Sequence, residues 1–417
     1  MAMQFDAAET PSSSFFGTQL LNDPFPLFAQ MRVRGAVVPA PFPTGGRQKA
    51  WMITRMEESL LVLKDSKRFT VTPPVGEDNV VGQRRGEAEN AGFTIFSQSM
   101  LSVDGLDHRR LRGLVSKVFT PRYIQELRPS IQQIADTLLD RVEGQGKMNL
   151  VEDFAFPLPI NVISNMLGVP HDSWDVLREG SRALIDGGPI ILDEKGAAER
   201  AKKLRAYNAY IVQLIAEKRR QPQDDLISQL IQIEEEGDRL SEPELLSMIG
   251  LLIVAGHETT SNLIGTGMLA LFDHPEQLAQ LRADLSLVPM AVEELLRFTG
   301  PVLTPVPRRA MEDVELGGQH ISRGDILIPV LTSANRDERH FTDAGELDLA
   351  RRIDRHLAFG QGIHICLGAP LARLEGDIAF TTLLRRLPNA RLAVPREAIT
   401  WHGALNVRGL TSLPIAF

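Results

Sequence analysis

The 417 residues hold one cysteine, Cys366, within the stretch FGQGIHICLG that runs from Phe359 to Gly368. Pro370 and the helix-like segment LARLEGDIAFTTLLRRL follow directly. The loop therefore delivers a sulfur near a helix N-terminus, where the dipole and free backbone N–H groups stabilise a thiolate. Gly362 and Gly368 flank the sulfur and let a flat, bulky object approach the backbone closely. On the loop alone, three readings are open. A lone cysteine is commonly a small buried hydrophobe. It could be a nucleophile with His364 as base, although such partners usually meet through the fold rather than two residues apart. It could also be an axial thiolate to haem iron, which donates electron density and favours O–O cleavage. A single cysteine excludes an internal disulfide, an all-cysteine zinc site and an unaided iron–sulfur cluster. Electrons from such a cluster would have to come from a partner.

A second concentration of chemistry is AGHETT, residues 255–260, in the middle of an apolar segment. Ser241 with Glu244 three residues on forms a capping box, and Pro243 suits a first turn. The spacing predicts a helix over 243–272, about 45 Å long and apolar nearly all round at 249–255, as a buried helix is. A buried helix does not carry Glu258 without a partner or a purpose. Adjacent hydroxyls, those of Thr259 and Thr260, follow it. The plain alternative for Thr259 and Thr260 is back-bonding to the preceding turn. Two further pairs share a helical face: Glu294 with Arg297, and His108 with Arg112. As ordinary surface features, the first contributes well under ~1 kcal/mol, and Arg112 is one solvated arginine beside Arg109 and Arg110.

The elements that must position these groups are mostly helices. Residues 128–142 and 198–220 read as helices, and 50–55 (AWMITR) and 325–331 (DILIPVL) as short strands. The fold class expected is mainly α with a small β region. Residues 1–20 are expected to be a flexible N-terminal segment and 21–417 a single domain. The polar stretches 73–92 and 186–196 are candidate mobile loops over a binding site. The formal charge of -8 argues against a general nucleic-acid binder. No basic and apolar leader opens the chain, and the most apolar run, Leu245 to Gly256, is too short for a bilayer span. No membrane association and a cytoplasmic location are expected.

FGQGIHICLG resembles the haem-binding signature of the cytochrome P450 family, Phe-x-x-Gly-x-His/Arg-x-Cys-x-Gly, and meets every fixed position. EELLR supplies that family's Glu-x-x-Arg at Glu294 and Arg297. AGHETT resembles its oxygen-activating helix, DGLDHRRLRGLV (104–115) its haem-propionate helix, and PVPRRAMEDVELGG the strand after Glu-x-x-Arg. SANRDERHF (333–341) is familiar from bacterial members. These landmarks run in the family's order from about residue 20 to the C-terminus.

The resemblance implies haem b, iron protoporphyrin IX, held between the long helix and the cysteine loop. Cys366 would be the axial ligand. Phe359, Gly360, Gly368, Ala255 and Gly256 would line the haem, the last two keeping the helix slim where O2 binds. His108, Arg112, Arg308 and His364 would meet the propionates. Glu294 and Arg297 would be a buried structural pair, and Glu258 and Thr259 the catalytic acid and alcohol. A substrate pocket is implied around Phe96, Ser97, Ser99, Met100, Ile253, Val254, Val302, Thr304, Asn406 and Val407.

The implied activity is O2-dependent hydroxylation or epoxidation of a hydrophobic small molecule by a monomeric enzyme, with bacterial members that tailor polyketides and macrolides the nearest in appearance. Fatty-acid, terpenoid or steroid oxidation, C–C coupling, a peroxide-using enzyme and a haem-binding sensor are the alternatives. Electrons are expected from NAD(P)H through a ferredoxin or flavodoxin and its reductase. Such a partner would dock near Arg109, Arg110, Lys117, Arg122 and Arg373.

Overall fold

The expected long helix forms, from Glu242 to Asp273. At its start the Glu244 carboxylate accepts from the Ser241 backbone N–H at 2.8 Å and from the Ser241 hydroxyl at 3.0 Å. The computed structural model describes residues 21–40, 48–72, 98–117, 119–185, 194–235 and 240–417. The expected N-terminal segment 1–20, the loop 73–92, Phe96, Ser97 and positions 186–193 lie outside the described residues.

Eight helices carry the argument. They are α1 (Gly105–Ser116), α2 (Arg128–Asp140), α3 (Pro157–Leu167), α4 (Trp174–Ile185), α5 (Glu194–Arg220), α6 (Glu242–Asp273), α7 (Val288–Thr299) and α8 (Ala369–Arg386). Helix α6 is 32 residues long, about 48 Å at 1.5 Å per residue. It packs against α3, α5, α7 and α8. That surround explains its sequence: Leu251, Leu252, Ile253 and Val254 point in four directions and all are buried. The Tyr207 hydroxyl of α5 donates to the Gly250 carbonyl of α6 at 3.1 Å. Helix α5 corrects one expectation, since positions 194–196 belong to it and not to a loop. The run Ala197, Ala198, Glu199 continues helix-forming sequence, and Gly196 is tolerated near the start.

The small sheet has the order β1-β2-β5-β4-β3, where β1 is Val37–Pro39, β2 Ala50–Ile53, β3 Phe69–Thr70, β4 Arg308–Ala310 and β5 Ile326–Pro329. The central pair, β2 with β5, is parallel, with Ala50 opposite Ile326 and Ile53 opposite Pro329. Every strand of the sheet is short. Its functional use is placement, because β4 carries Arg308 and β3 carries Thr70.

The Glu294–Arg297 pair lies in α7 with both side chains fully buried. Arg297 donates to both carboxylate oxygens at 2.6 and 2.7 Å. Its other N–H groups reach the carbonyls of Asn335 and Ala344 at 2.9 Å and of Glu346 at 3.0 Å. Glu294 also accepts from the Asp348 N–H at 3.0 Å and from Arg351 Nε at 3.2 Å. One ion pair thus ties down the irregular chain leading to the cysteine loop. Its neighbour Glu293 clamps the loop's other side, accepting from Arg373 of α8 at 2.6 Å and bonding His356 Nε2 at 3.0 Å. The Arg373 guanidinium lies over the Phe359 ring, 4.6 Å from its centroid.

Removing one partner of a buried pair leaves the other charge uncompensated, at a cost of about 3–5 kcal/mol. Glu294→Gln is therefore expected to lower unfolding free energy by about that amount in urea titration. A loss well under ~1 kcal/mol would show that the backbone carbonyls suffice for Arg297.

Candidate active site around Cys366

The cysteine loop is held by its own backbone. The Cys366 N–H donates to the Phe359 carbonyl at 2.9 Å, and Gly362 turns the chain at φ 77°. Glycine is required there twice over: the dihedral is left-handed, and a Cβ would overlap the Leu63 carbonyl oxygen. Helix α8 starts three residues after the sulfur. Burial raises the Cys366 thiol above its ordinary value. The N–H groups of Gly368 and Ala369 and the charges of Arg112 and Arg373 oppose that without overcoming it. The expected stabilisation of a thiolate by the helix start is thus real but outweighed by desolvation. A metal ion taking the proton's place reverses the balance.

Cys366 nonetheless has accessible surface. Ala255 does too, although it sits mid-way along α6 between buried Val254 and buried His257. Both exposures therefore face an interior hollow. At Gly368, φ is an ordinary -82° and a Cβ would meet no atom within 4 Å. Protein packing alone does not demand a glycine there, and the open space leaves room for a flat group to pass close over the backbone.

Around this hollow the structure gathers the expected cationic set. His108 is buried on α1, and Arg308 is buried on β4. Arg309, the next residue, turns away to Gln48 and the Gly324 carbonyl. Burial pushes Arg308 down to about 10, and burial, then the charges of His364 and Arg112, pushes His108 down to about 4. The rings of His108 and His364 meet edge to face at 4.5 Å. His108 Nε2 is buried without a hydrogen-bond partner among the described residues. Two desolvated arginines and a buried ring nitrogen suit a dianionic group that accepts hydrogen bonds, which describes the propionates of haem. Among the described residues no cluster of three His, Cys, Asp or Glu could hold a bare metal ion. A metal at Cys366 must bring its other ligands with it, as a porphyrin does.

On α6 the expected residues separate into different roles. A Cβ on Gly256 would collide with Ile163 of α3, so this glycine serves helix packing, and the slimming of the accessible face falls to Ala255. The Thr259 hydroxyl donates to the Ala255 carbonyl at 3.0 Å, the back-bond that was its plain alternative. Glu258 is buried, with its carboxyl near His257. Burial raises Glu258, but His257 first, then His402 and Arg182, bring it below the ordinary glutamate value. An ionised acid and a hydroxyl beside accessible surface can hold and pass protons.

The family profile described as Cytochrome P450 matches residues 77–389. The chain belongs to the cytochrome P450 family. The polyketide biosynthesis cytochrome P450 PksS of Bacillus subtilis is 43% identical over 375 residues, spanning 89% of this chain and 90% of that protein. The cytochrome P450 monooxygenase PikC of Streptomyces venezuelae is 39% identical, spanning 96% of this chain and 92% of that protein. The crystal structure of the myxobacterial cytochrome P450 CYP267B1 in complex with myristic acid superposes with a TM-score of 0.89 at 38% identity. That match covers 98% of this chain and 99% of the other. The protein is a cytochrome P450 monooxygenase with the P450 fold, and haem iron is the cofactor the family implies.

In this cytochrome P450 the expected pocket residues fall into two groups. Val302 and Val407 form a bridge, and the N–H groups of Leu303 and Thr304 point to the Asn406 carbonyl at 2.9 and 3.5 Å. These residues, distant in sequence, thus come together, and the next residue, Arg408, holds its guanidinium 3.4 Å from the Trp401 ring centroid. Met100, Ile253 and Val254 are buried in the main core, to which Val407 also belongs and against which Val302 packs, and Ser99 is fully buried. Of the expected docking cations, Arg110 bonds Glu244 at 2.6 Å, Arg122 bonds Glu126 at 3.0 Å, and Arg373 is taken by Glu293. Arg109 and Lys117 are exposed.

Three residues escaped the sequence reading. Asp104 accepts from Thr70 Oγ1 at 2.5 Å and from the Val71 N–H at 2.7 Å, and bonds His364 Nε2 at 2.7 Å. Burial raises its carboxyl, but these bonds win and hold it at about 2. Arg351 completes the buried pair. Glu375 of α8 is fully buried, neither carboxyl oxygen has a hydrogen-bond partner among the described residues, and burial pushes it up to about 8. Its place in a helix-like run gave no hint of this.

An acid raised in this way costs stability as pH rises from its ordinary 4.5 to about 8, because the folded state must keep a proton the unfolded chain releases. Glu375→Gln is expected to match wild type near pH 4 and to exceed it by roughly 3 kcal/mol at pH 7. Urea titrations at the two pH values check this, and a pH-independent difference would refute it.

Proposed function

We propose that residues 21–417 form one haem-thiolate unit that inserts oxygen into a hydrophobic natural product of polyketide or long acyl character. The observation that carries the reading is the sulfur of Cys366, presented at the start of α8 beside a desolvated cationic set matched to two propionates. PksS is named for polyketide biosynthesis, and CYP267B1 is seen with myristic acid; both support an extended apolar substrate.

Haem bound through Cys366 supplies the activation of O2. This chain's residues do the rest. His108, Arg112, Arg308 and His364 hold the propionates, with Asp104 fixing His364. Phe359, Gly360, Gly368 and Ala255 leave room for the ring. Val302, Thr304, Asn406 and Val407 orient the substrate. Glu258 takes protons from the solvent side, where Arg182 is 31% exposed, and passes them to the Thr259 hydroxyl. That hydroxyl is released from the Ala255 carbonyl when it serves a new acceptor. Electrons come from NAD(P)H through a ferredoxin or flavodoxin and its reductase, with exposed Arg109 and Lys117 available to an acidic partner. Among the described residues no helix is long and apolar enough to cross a membrane.

The first test is the carbon-monoxide difference spectrum of the dithionite-reduced protein. A strongly red-shifted Soret band is expected, and Cys366→His should move it to the position of histidine-ligated haem. Absence of haem after haem-supplemented expression would overturn the assignment. Titration with a macrolactone and with myristate should then give a spin-state shift for at least one; no shift with either would remove the substrate class. Thr259→Ala should divert electrons to peroxide and lower product per NAD(P)H by roughly tenfold or more.

A further inference from the structure

His257 lies between Gly256 and Glu258 and is fully buried. Its Nδ1 is 2.6 Å from the Ile253 carbonyl oxygen. A carbonyl only accepts, so Nδ1 carries a proton, and Nε2 of the neutral ring is an acceptor. The ring stands edge to face on Phe156, with centroids 5.6 Å apart and planes at 83°; that contact fixes its plane, and a flip within the plane would break the bond to Ile253. Nε2 is left 3.6 Å from Glu258 Oε1, beyond a hydrogen bond. Both atoms are buried, and neither has another partner among the described residues. Two buried lone pairs held face to face are unfavourable unless a proton lies between them. The other charged groups around the carboxyl are Arg182 of α4 and His402 of the C-terminal hairpin, with Tyr207 of α5 close by.

We propose that His257 is a positioning residue for proton delivery. Clamped by Ile253 and Phe156, it shares one proton with Glu258 and keeps that proton one residue from the Thr259 hydroxyl. The shared proton moves from Nε2 to Oε1 and the carboxyl passes it to the Thr259 hydroxyl, leaving a neutral His257 ring and an ionised Glu258. A solvent proton arriving on the Arg182 side then restores the pair. Nδ1–H stays on Ile253 throughout, so the backbone hydrogen bond is never broken.

This inference rests on the reading of Glu258 and Thr259 as the acid and alcohol, and the experiment separates the two. The reduced, carbon-monoxide-bound holoenzyme, which is diamagnetic, is labelled with ¹⁵N-histidine, and the His257 signals are identified by their loss in His257→Phe. In wild type Nε2 should resonate as a protonated or partly protonated nitrogen, and in Glu258→Gln as an unprotonated one, with Nδ1 unchanged. An Nε2 position indifferent to Glu258→Gln overturns the proposal. In the second measurement, product per NAD(P)H should fall roughly tenfold in both His257→Phe and Glu258→Gln, and no further in the double variant. A damaged Glu258→Gln beside an unimpaired His257→Phe sinks this inference alone; an unimpaired Glu258→Gln sinks the acid–alcohol reading with it. Should His257→Phe fail to retain haem, His257→Gln, which loses the ring nitrogens but stays polar, carries the same comparison.

Discussion

A buried arginine can bond in several directions at once, and this fold is arranged around one that does. Arg297 meets a carboxylate on its own helix and three backbone carbonyls from the irregular segment beyond Asn335. That segment has little regular structure to satisfy its carbonyls, and the guanidinium stands in for the missing ladder. Glu294 meanwhile accepts from Asp348 and Arg351 of the same segment. Asn335 reaches forward to the Leu357 N–H at 2.6 Å, so the constraint passes from α7 to the threshold of Phe359. The position of the sulfur is inherited from an ion pair more than sixty residues upstream.

The interior beside that sulfur is polarised by burial in opposite senses. Desolvation favours the neutral form of whichever group it touches, and here it touches a thiol, a glutamate on α8, two arginines and a histidine. Glu258, like Asp104, is brought below its usual value by its neighbours, while Glu375, across α6, is pushed up. Two carboxyls on either side of one helix, one inclined to be charged and one to be neutral, divide acid and base character as active sites commonly do. The helix separates them by its own register, since Glu258 and Thr260 face different neighbours.

What could be read from sequence was whatever is local. The cysteine loop, the capping box at Ser241 and the i,i+3 spacing of Glu294 and Arg297 each lie within a few residues, and each survives into the structure as read. Burial of that pair, and the third member Arg351, depend on contacts that spacing does not encode. Asp104 was passed over because its partner His364 lies 260 positions away. Gly256 was given to the oxygen site because the knob that needs it, Ile163, belongs to another helix. Thr259 shows the reverse, where the modest local rule for helical threonine describes the resting hydroxyl.

The pairing of β2 with β5 has a temporal side. Ala50 is made early in synthesis and its neighbour Ile326 late. At roughly 5–20 residues per second, a ribosome needs on the order of 15–50 s to supply the missing strand. Until then the β1–β2 hairpin presents an open edge and the apolar side chains of Trp51 and Ile53 to the surroundings. Nascent chains of this protein therefore have a long interval in which to find the wrong partner.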